Sequence, residues 1–275
     1  MLINNKNISD ELISKLISDI KKKKELSPVK DSLVQEELLK FLKQNTKILE
    51  RFLKEKAEKS KEYELAVKTI RSTLRKLHGA FVMGVDYKKA SEMISQGKID
   101  EVMQMHESTK PRICVYQSLY KRIFSITGKP EVIVDLGSGL NPLSYNHLGC
   151  KPKYYAYELS ANDVQLINLF FKKSGIDGKA EQKDLQNDLD LPKSDVCFMF
   201  KILDGFKMTS GPKFVEKLIT TVDAKFIVAS FSTATISGKR MRYPRRLWLE
   251  KMCERLNYSI ERFEMADELY YVIGK

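Results

Sequence analysis

The chain has 275 residues, 43% of them hydrophobic, which suits one full catalytic domain plus a smaller appendage, with cores to bury. Lys and Arg number 48 against 36 Asp and Glu, a formal charge of +12, and this favours a polyanionic partner because cations on a phosphate lattice release condensed counterions. No apolar run approaches the ~20 residues of a membrane span, the start MLINNKNISDELISK has no signal pattern, and Cys114, Cys150, Cys197 and Cys253 form no CxxC pair. A spanning helix, a metal site and a disulfide framework are therefore not expected, and a reducing cytoplasm is.

Residues 1–105 read as a helical, basic domain. Between 31 and 56, Leu33, Val34, Leu38, Leu39, Phe41, Leu42, Ile48, Leu49, Phe52 and Leu53 recur at three- and four-residue steps. That period predicts one amphipathic helix, set off by Ser27-Pro28 and capped by Asp31 or Ser32. A second helix is predicted over 60–77, ended by His78-Gly79, with Gly84 punctuating the chain beyond it. Shorter helices are predicted over 87–95 and 99–106. Lys21 to Lys24 form a run of four lysines, read as a solvated helix face or tail, with RNA contact as the alternative.

From Pro130 the period changes. Strands are predicted over 131–135, 153–158, 195–200 and 225–230, and helices over 162–174, 212–221 and 247–256. Two closing strands come last, at 258–263 and 269–273. The alternation predicts a mostly parallel sheet covered on both faces. The closing antiparallel pair is typical of the class-I methyltransferase variant of a Rossmann-like sheet.

The first of these strands runs into Gly137-Ser138-Gly139, whose glycines let the backbone turn tightly and approach a ligand closely. Asp135 sits at the strand's carboxyl end. Glu158 ends the next strand about twenty residues on, where an acid accepts the ribose hydroxyls of a nucleoside cofactor. Position 142 is a proline where a dinucleotide motif has its third glycine, and no GxxxxGK[ST] is present, so a pyrophosphate cradle and ATP hydrolysis are disfavoured. Asp184 follows a presumed third strand that precedes the one at 195–200, and it can accept from an adenine amino group; an ordinary loop acid is the competing reading.

The candidate chemistry is methyl transfer from S-adenosylmethionine. After the fourth strand the chain reads Lys201-Ile202-Leu203-Asp204, without the Asn/Asp-Pro-Pro-aromatic tetrad used on exocyclic amines. Pyrimidine C5 transfer needs a cysteine nucleophile, and Cys197 lies inside an apolar strand, where cysteine is a small core hydrophobe. What remains is a nucleophile that needs no deprotonation, such as guanine N7, for which alignment suffices.

No acid occurs between Ala224 and Leu249, whereas Lys239, Arg240, Arg242, Arg245 and Arg246 crowd together with Tyr243 and Trp248 interleaved. Gly238 and Pro244 make this a loop. Such a loop can grip phosphates and stack a base, so the five cations are candidate RNA contacts. Trp248 itself is expected in the core.

These residues resemble a known family. His106-Glu107-Ser108-Thr109-Lys110-Pro111-Arg112 is similar to the HxSTxxR signature of aminoglycoside-resistance 16S ribosomal RNA guanine-N7 methyltransferases. The stretch Asp135 to Pro142, Tyr157-Glu158, Phe200 to Leu203, Ser230 to Thr233, Ser237 to Lys239 and Glu268 to Tyr271 resemble further family segments in the same order. The resemblance covers residues 77 to the end, and the N-terminal helices more loosely. It implies that Arg112 pairs with the cofactor's carboxylate, and that Asp135, Gly137 and Gly139 line the methionine end. It further assigns the ribose to Glu158 and the adenine to Asp184. It extends the cofactor site to His106, Ser108, Asn141 and Lys201, and offers Lys201, Ser230 and Phe231 as positioning candidates. It implies that the basic N-terminal region docks on the small ribosomal subunit; the expected division is a helical domain over 1–105 and a methyltransferase domain over 106–275, in a monomeric protein.

The chain departs from the family pattern at Ser138, Glu158, Asp204, Ser232 and Met241 to Arg246. The cofactor site is kept and the RNA-facing loop is recast, which leaves the target nucleotide open. Methylation of another RNA or base atom, and a non-catalytic RNA-binding or assembly role, stay open beside small-subunit guanine N7.

Overall fold

The apolar periods of the first eighty residues close a small helical core. The computed structural model describes every residue except 1, 4, 5, 24, 25, 28, 30, 55, 78–84, 107, 108 and 235–239. Ser108, Lys239, His78, Gly79 and Gly84 thus lie outside the described residues. The chain forms two compact units, Met1–Met83 and Gly84–Lys275.

In the first unit, β1 (Leu2–Ile3) and β2 (Lys6–Asn7) pair antiparallel ahead of α1 (Asp10–Lys21). Ser9 caps α1, its Oγ accepting from the Leu12 amide at 3.3 Å, and Asp10 and Glu11 face the positive end of the helix dipole. Then come α2 (Asp31–Gln44), α3 (Thr46–Phe52) and α4 (Lys61–Leu77). Leu16, Ile20, Val34, Leu38, Leu42, Leu49, Ala66 and Leu74 form their shared core. The single helix predicted over 31–56 is two. At Asn45 the backbone leaves helical angles and the side chain donates to the Phe41 carbonyl at 2.8 Å, a local bond that competes with the helix ladder.

The second unit opens with α5 (Tyr87–Ser95), capped by Asp86, then α6 (Ile99–Gln104) and α7 (Tyr116–Thr127). Seven strands and four helices complete it in the order β3 (Val132–Leu136), β4 (Lys153–Glu158), α8 (Ala161–Ser174), β5 (Gly178–Gln182), β6 (Ser194–Phe200), α9 (Leu203–Thr209), α10 (Pro212–Thr221), β7 (Ala224–Ser232), α11 (Leu247–Arg255), β8 (Ser259–Met265) and β9 (Glu268–Gly274). The predicted strands and helices of this region are all present, the presumed third strand is β5, and α7 and α9 are added. Trp248 is half-buried against the core and meets Phe231 edge to face.

The sheet order is β5-β4-β3-β6-β7-β9-β8. Neighbours from β5 to β7 are parallel, and β9 is antiparallel to both β7 and β8. Ala266 and Asp267, both at positive φ (50° and 57°), close the β8–β9 hairpin in the two-residue turn that matches strand twist. One face packs under α5, α6, α7 and α8, the other under α9, α10 and α11.

The boundary between units differs from the expected 105/106. Ala90, Ile94, Val102 and Met103 are buried in the same core as Ile133 and Phe198 of the sheet, so α5 and α6 belong to the second unit. Their amphipathic pattern resembles that of the preceding helices, and only packing assigns them.

Candidate functional site

The order in which the parallel strands are added reverses about β3, which pairs with β4 on one side and β6 on the other. Open α/β sheets bind ligands in the crevice outside the strands' carboxyl ends at this switch point. Asp135 and Leu136 end β3 there, and Gly137 and Gly139 come next at φ +59° and +50°. A side chain at Gly137 is barred twice over: the backbone is left-handed, and a Cβ would stand 2.6 Å from Ile202 Cγ2.

Asp135 is buried at 1% exposure. Its Oδ2 accepts from Asn141 Nδ2 at 2.9 Å and from the Tyr154 hydroxyl at 2.7 Å, while Oδ1 is buried without a partner. Burial pushes its pKa up to about 7, against those two hydrogen bonds. Tyr116 completes the chain by donating to Asn141 Oδ1 at 3.2 Å. Tyr116 and Tyr154 come from α7 and β4, and composition gave no reason to single them out.

Glu158 folds its carboxylate back onto the glycine turn. Oε2 accepts from the Gly139 amide at 2.8 Å and Oε1 from the Leu159 amide at 2.7 Å. Asp184 caps its own turn, accepting from the Gln186 amide at 3.0 Å and Asn187 Nδ2 at 2.8 Å. Nearby, Asp163 in the first turn of α8 is buried and accepts from the Tyr87 hydroxyl at 3.0 Å. Burial and the charge of Glu158 raise its pKa to about 7.

At the ends of β6, β7 and β9 lies a buried ionic cluster. Glu268 accepts from Arg112 Nε at 2.9 Å and Nη2 at 2.7 Å, and from Ser230 Oγ at 2.7 Å, and meets Lys201 Nζ at 2.9 Å. Burial opposes ionisation of Glu268, but Arg112 and Lys201 outweigh it and hold the carboxyl below its ordinary range. The Arg112 guanidinium also lies 4.8 Å from the Phe200 ring centroid. Lys201 adopts φ +61°, a strained setting for a side-chain-bearing residue that turns the chain as it leaves β6. His106 is buried, and burial together with the Arg112 charge pushes its pKa down to about 4, so the ring is neutral at neutral pH.

The structure thus assembles His106, Arg112, Lys201, Ser230 and Glu268 as one cluster, and Asp135, Asn141 and Glu158 around the glycine turn as another. Two of these residues have partners that the local sequence does not announce. Arg112 spends two of its donors on Glu268, a partner that lies 156 residues away in sequence. Phe231 is 1% exposed and packs on Trp248 and Tyr271, so it supports the site from within the core.

In the basic loop, three of the cations find acids elsewhere in the fold. Arg246 is largely buried, gripping Asp204 through Nε at 3.0 Å and Nη2 at 2.7 Å, with its guanidinium 4.9 Å from the Phe231 centroid. Arg245 pairs with Glu250, and Arg240 with Glu264 at 2.7 Å. The acid missing from the local sequence comes from α9, α11 and β8. Arg246 is therefore a structural residue, while Arg240 and Arg242 stay exposed.

Sheet order, the antiparallel strand set between β7 and β8, the glycine turn after β3 and the acid ending β4 together define a class-I methyltransferase. A family model, "Ribosomal RNA methyltransferase (FmrO)", matches residues 60–272, and the chain belongs to this family. It is 24% identical over 241 residues to a 16S rRNA (guanine(1405)-N(7))-methyltransferase of Proteus mirabilis, covering 76% of this chain and 83% of the relative. It is 26% identical over 228 residues to a protein of the same name from Micromonospora echinospora, covering 76% and 82%. Among solved structures it shares its fold with the 16S rRNA methyltransferase RmtF in complex with S-adenosyl-L-homocysteine, at TM-score 0.76 and 22% identity, covering 97% of this chain and 99% of that one.

Proposed function

We propose that the protein transfers a methyl group from S-adenosylmethionine to guanine N7 of small-subunit ribosomal RNA. The strongest support for the cofactor is Asp135. A buried carboxylate with one unpartnered oxygen calls for a cationic or hydrogen-bond-donating ligand, and here it adjoins a turn too tight for a side chain. A nucleoside with a charged amino-acid tail fits that donor set. Asp135, Gly137, Gly139 and Asn141 hold the methionine end, and the family motif adds His106 and Ser108 to the cofactor's contacts. Glu158 exchanges its backbone partners for the ribose hydroxyls, and Asp184 accepts from the adenine amino group with its remaining lone pairs. Arg112 reaches the cofactor's carboxylate with the guanidinium donors that Glu268 does not take. When bound, S-adenosylmethionine supplies an electrophilic methyl group.

The chain's own residues supply alignment. Guanine N7 carries a lone pair and no proton, so no base is required and positioning lowers most of the barrier. Lys201 and Ser230, both fastened to Glu268, present a fixed cation and a hydroxyl at the sheet's carboxyl edge. Cys197 is buried in β6, and burial raises its thiol well above the ordinary range, so it offers no thiolate for a pyrimidine C5 route. The relatives' stated specificity for guanine N7 of 16S rRNA agrees with this chemistry. In this reading the basic first unit docks on the small subunit, Lys239, Arg240 and Arg242 contact phosphates, and the protein acts as a monomer in the cytoplasm. Among the described residues no helix is long and apolar enough to cross a membrane.

The test begins with S-adenosylmethionine binding by calorimetry, for wild type, Arg112→Ala and Asp135→Ala. Micromolar binding lost in both variants supports the site. Purified small subunits are then methylated with labelled cofactor and the modified nucleoside is located by mass spectrometry. A methyl group on carbon, ribose or an exocyclic amine refutes the N7 assignment.

A further inference from the structure

The loop between β7 and α11 spends its charges unequally. At its base, the Met241 amide donates to the Thr233 carbonyl at 2.7 Å, and Ala234 and Arg240 form a β-bridge. Arg240 is held by Glu264 and Arg245 by Glu250. Arg246 is clasped by Asp204, and its amide donates to the Tyr271 hydroxyl at 2.8 Å. Both ends of the segment are therefore tied to the fold by side chains from remote elements.

Between those ties, Arg242 and Tyr243 project. Tyr243 is 76% exposed, the most exposed large apolar side chain among the described residues. The Arg242 guanidinium lies 5.3 Å from its ring centroid, within cation–π range. Pro244 comes next and restricts Tyr243 to extended backbone, so the ring is presented with little backbone freedom left to lose on binding. A side-chain clasp ties the pair's segment to the element that follows β6: Arg246, three residues beyond Tyr243, is gripped by Asp204, three beyond Lys201.

We propose that Arg242 and Tyr243 form a stacking platform for one unpaired nucleobase of the RNA substrate, held in place by the Asp204–Arg246 clasp. An aromatic ring and a guanidinium plane are the two side-chain surfaces on which splayed-out bases stack. The occupant is nucleic acid because Glu264, Glu250 and Asp204 neutralise Arg240, Arg245 and Arg246, whereas no ion pair among the described residues engages Arg242, whose charge is left for a phosphate backbone. The proposal rests on the reading of the protein as an RNA methyltransferase and adds a recognition residue to it.

The test uses the full chain, wild type against Tyr243→Ala and Tyr243→Phe, with purified small ribosomal subunits and their extracted RNA as probes. Filter binding gives Kd, and labelled methyl transfer gives KM and kcat. Tyr243→Ala is expected to weaken RNA binding and raise KM by roughly five- to hundredfold, the range for loss of one base–aromatic stack. Its S-adenosylmethionine affinity and melting temperature stay at the wild-type values. Tyr243→Phe, which keeps the ring, restores most of the loss. RNA affinity of Tyr243→Ala equal to wild type overturns the proposal and points to a protein contact instead. Equal loss in Tyr243→Phe overturns it too, since the hydroxyl and not the ring would then matter. Wild type that binds RNA but methylates none refutes the proposed function, and the binding comparison still decides the stacking.

Discussion

Glu268→Ala removes the acceptor on which Arg112 and Lys201 converge. The two cations differ in what they lose. The side chain of Lys201 is 18% exposed and can turn toward water, whereas that of Arg112 is 2% exposed and cannot. Breaking a buried pair on one side leaves an uncompensated charge, at a cost of about 3–5 kcal/mol. The second unit, Gly84–Lys275, falls in the size range where each kcal/mol moves Tm by about 2–4 °C, so a fall of roughly 6–20 °C is expected by calorimetry or circular dichroism. Glu268→Gln keeps shape and acceptor and should lose less. The sign with pH is set by the depressed carboxyl: its stabilisation is complete above the ordinary carboxylate range and vanishes as pH falls through the folded pKa. The gap between wild type and Glu268→Gln should therefore narrow in acid. A Glu268→Ala protein melting within about 2 °C of wild type at neutral pH refutes the reasoning.

Asp135 runs the other way. Its folded pKa, about 7, lies above the ordinary 3.8, so its stabilisation is full below pH 3.8 and is lost as pH climbs through 7. Without cofactor, Asp135→Asn should melt at or above wild type at pH 8 while S-adenosylmethionine no longer raises its Tm; a lower Tm at both pH 5 and pH 8 contradicts this. Asp204→Ala should cost only about 1 kcal/mol, because that carboxylate is 42% exposed and screened, yet it frees the loop. Trypsin cleavage after Arg242 and Arg245 should then accelerate, and an unchanged digestion rate denies the clasp. Gly137→Ala forces a Cβ against Ile202 on left-handed backbone, and urea unfolding should show a loss of about 1–3 kcal/mol.

Several features of the fold are legible along the chain. The alternation of apolar strands and amphipathic helices after Pro130 appears in the structure with strand ends moved by a residue or two. Asp135, the glycine turn and Glu158 are legible because a strand, a tight turn and a spaced acid are local in sequence. Helix α7, absent from the predicted elements, also carries a helical signal, since Tyr116, Leu119, Tyr120, Ile123 and Phe124 repeat at helical spacing. The break at Asn45 left no mark in the apolar pattern, because a side-chain bond to a backbone carbonyl does not change periodicity.

Local patterning thus determined the class of fold, the glycine turn and the positive charge of the loop after β7. Tertiary structure decided what the charges do. Arg112 meets Glu268 across 156 residues and Arg246 meets Asp204 across 42. Buried cations must find counter-charges wherever the fold places them, and nothing in the neighbouring sequence announces the partner. The same physics divides the basic loop, fastening Arg240, Arg245 and Arg246 to acids of β8, α11 and α9 and leaving Arg242 and Tyr243 outward. Composition gives the sum of the charges; only packing decides which of them remain for a partner.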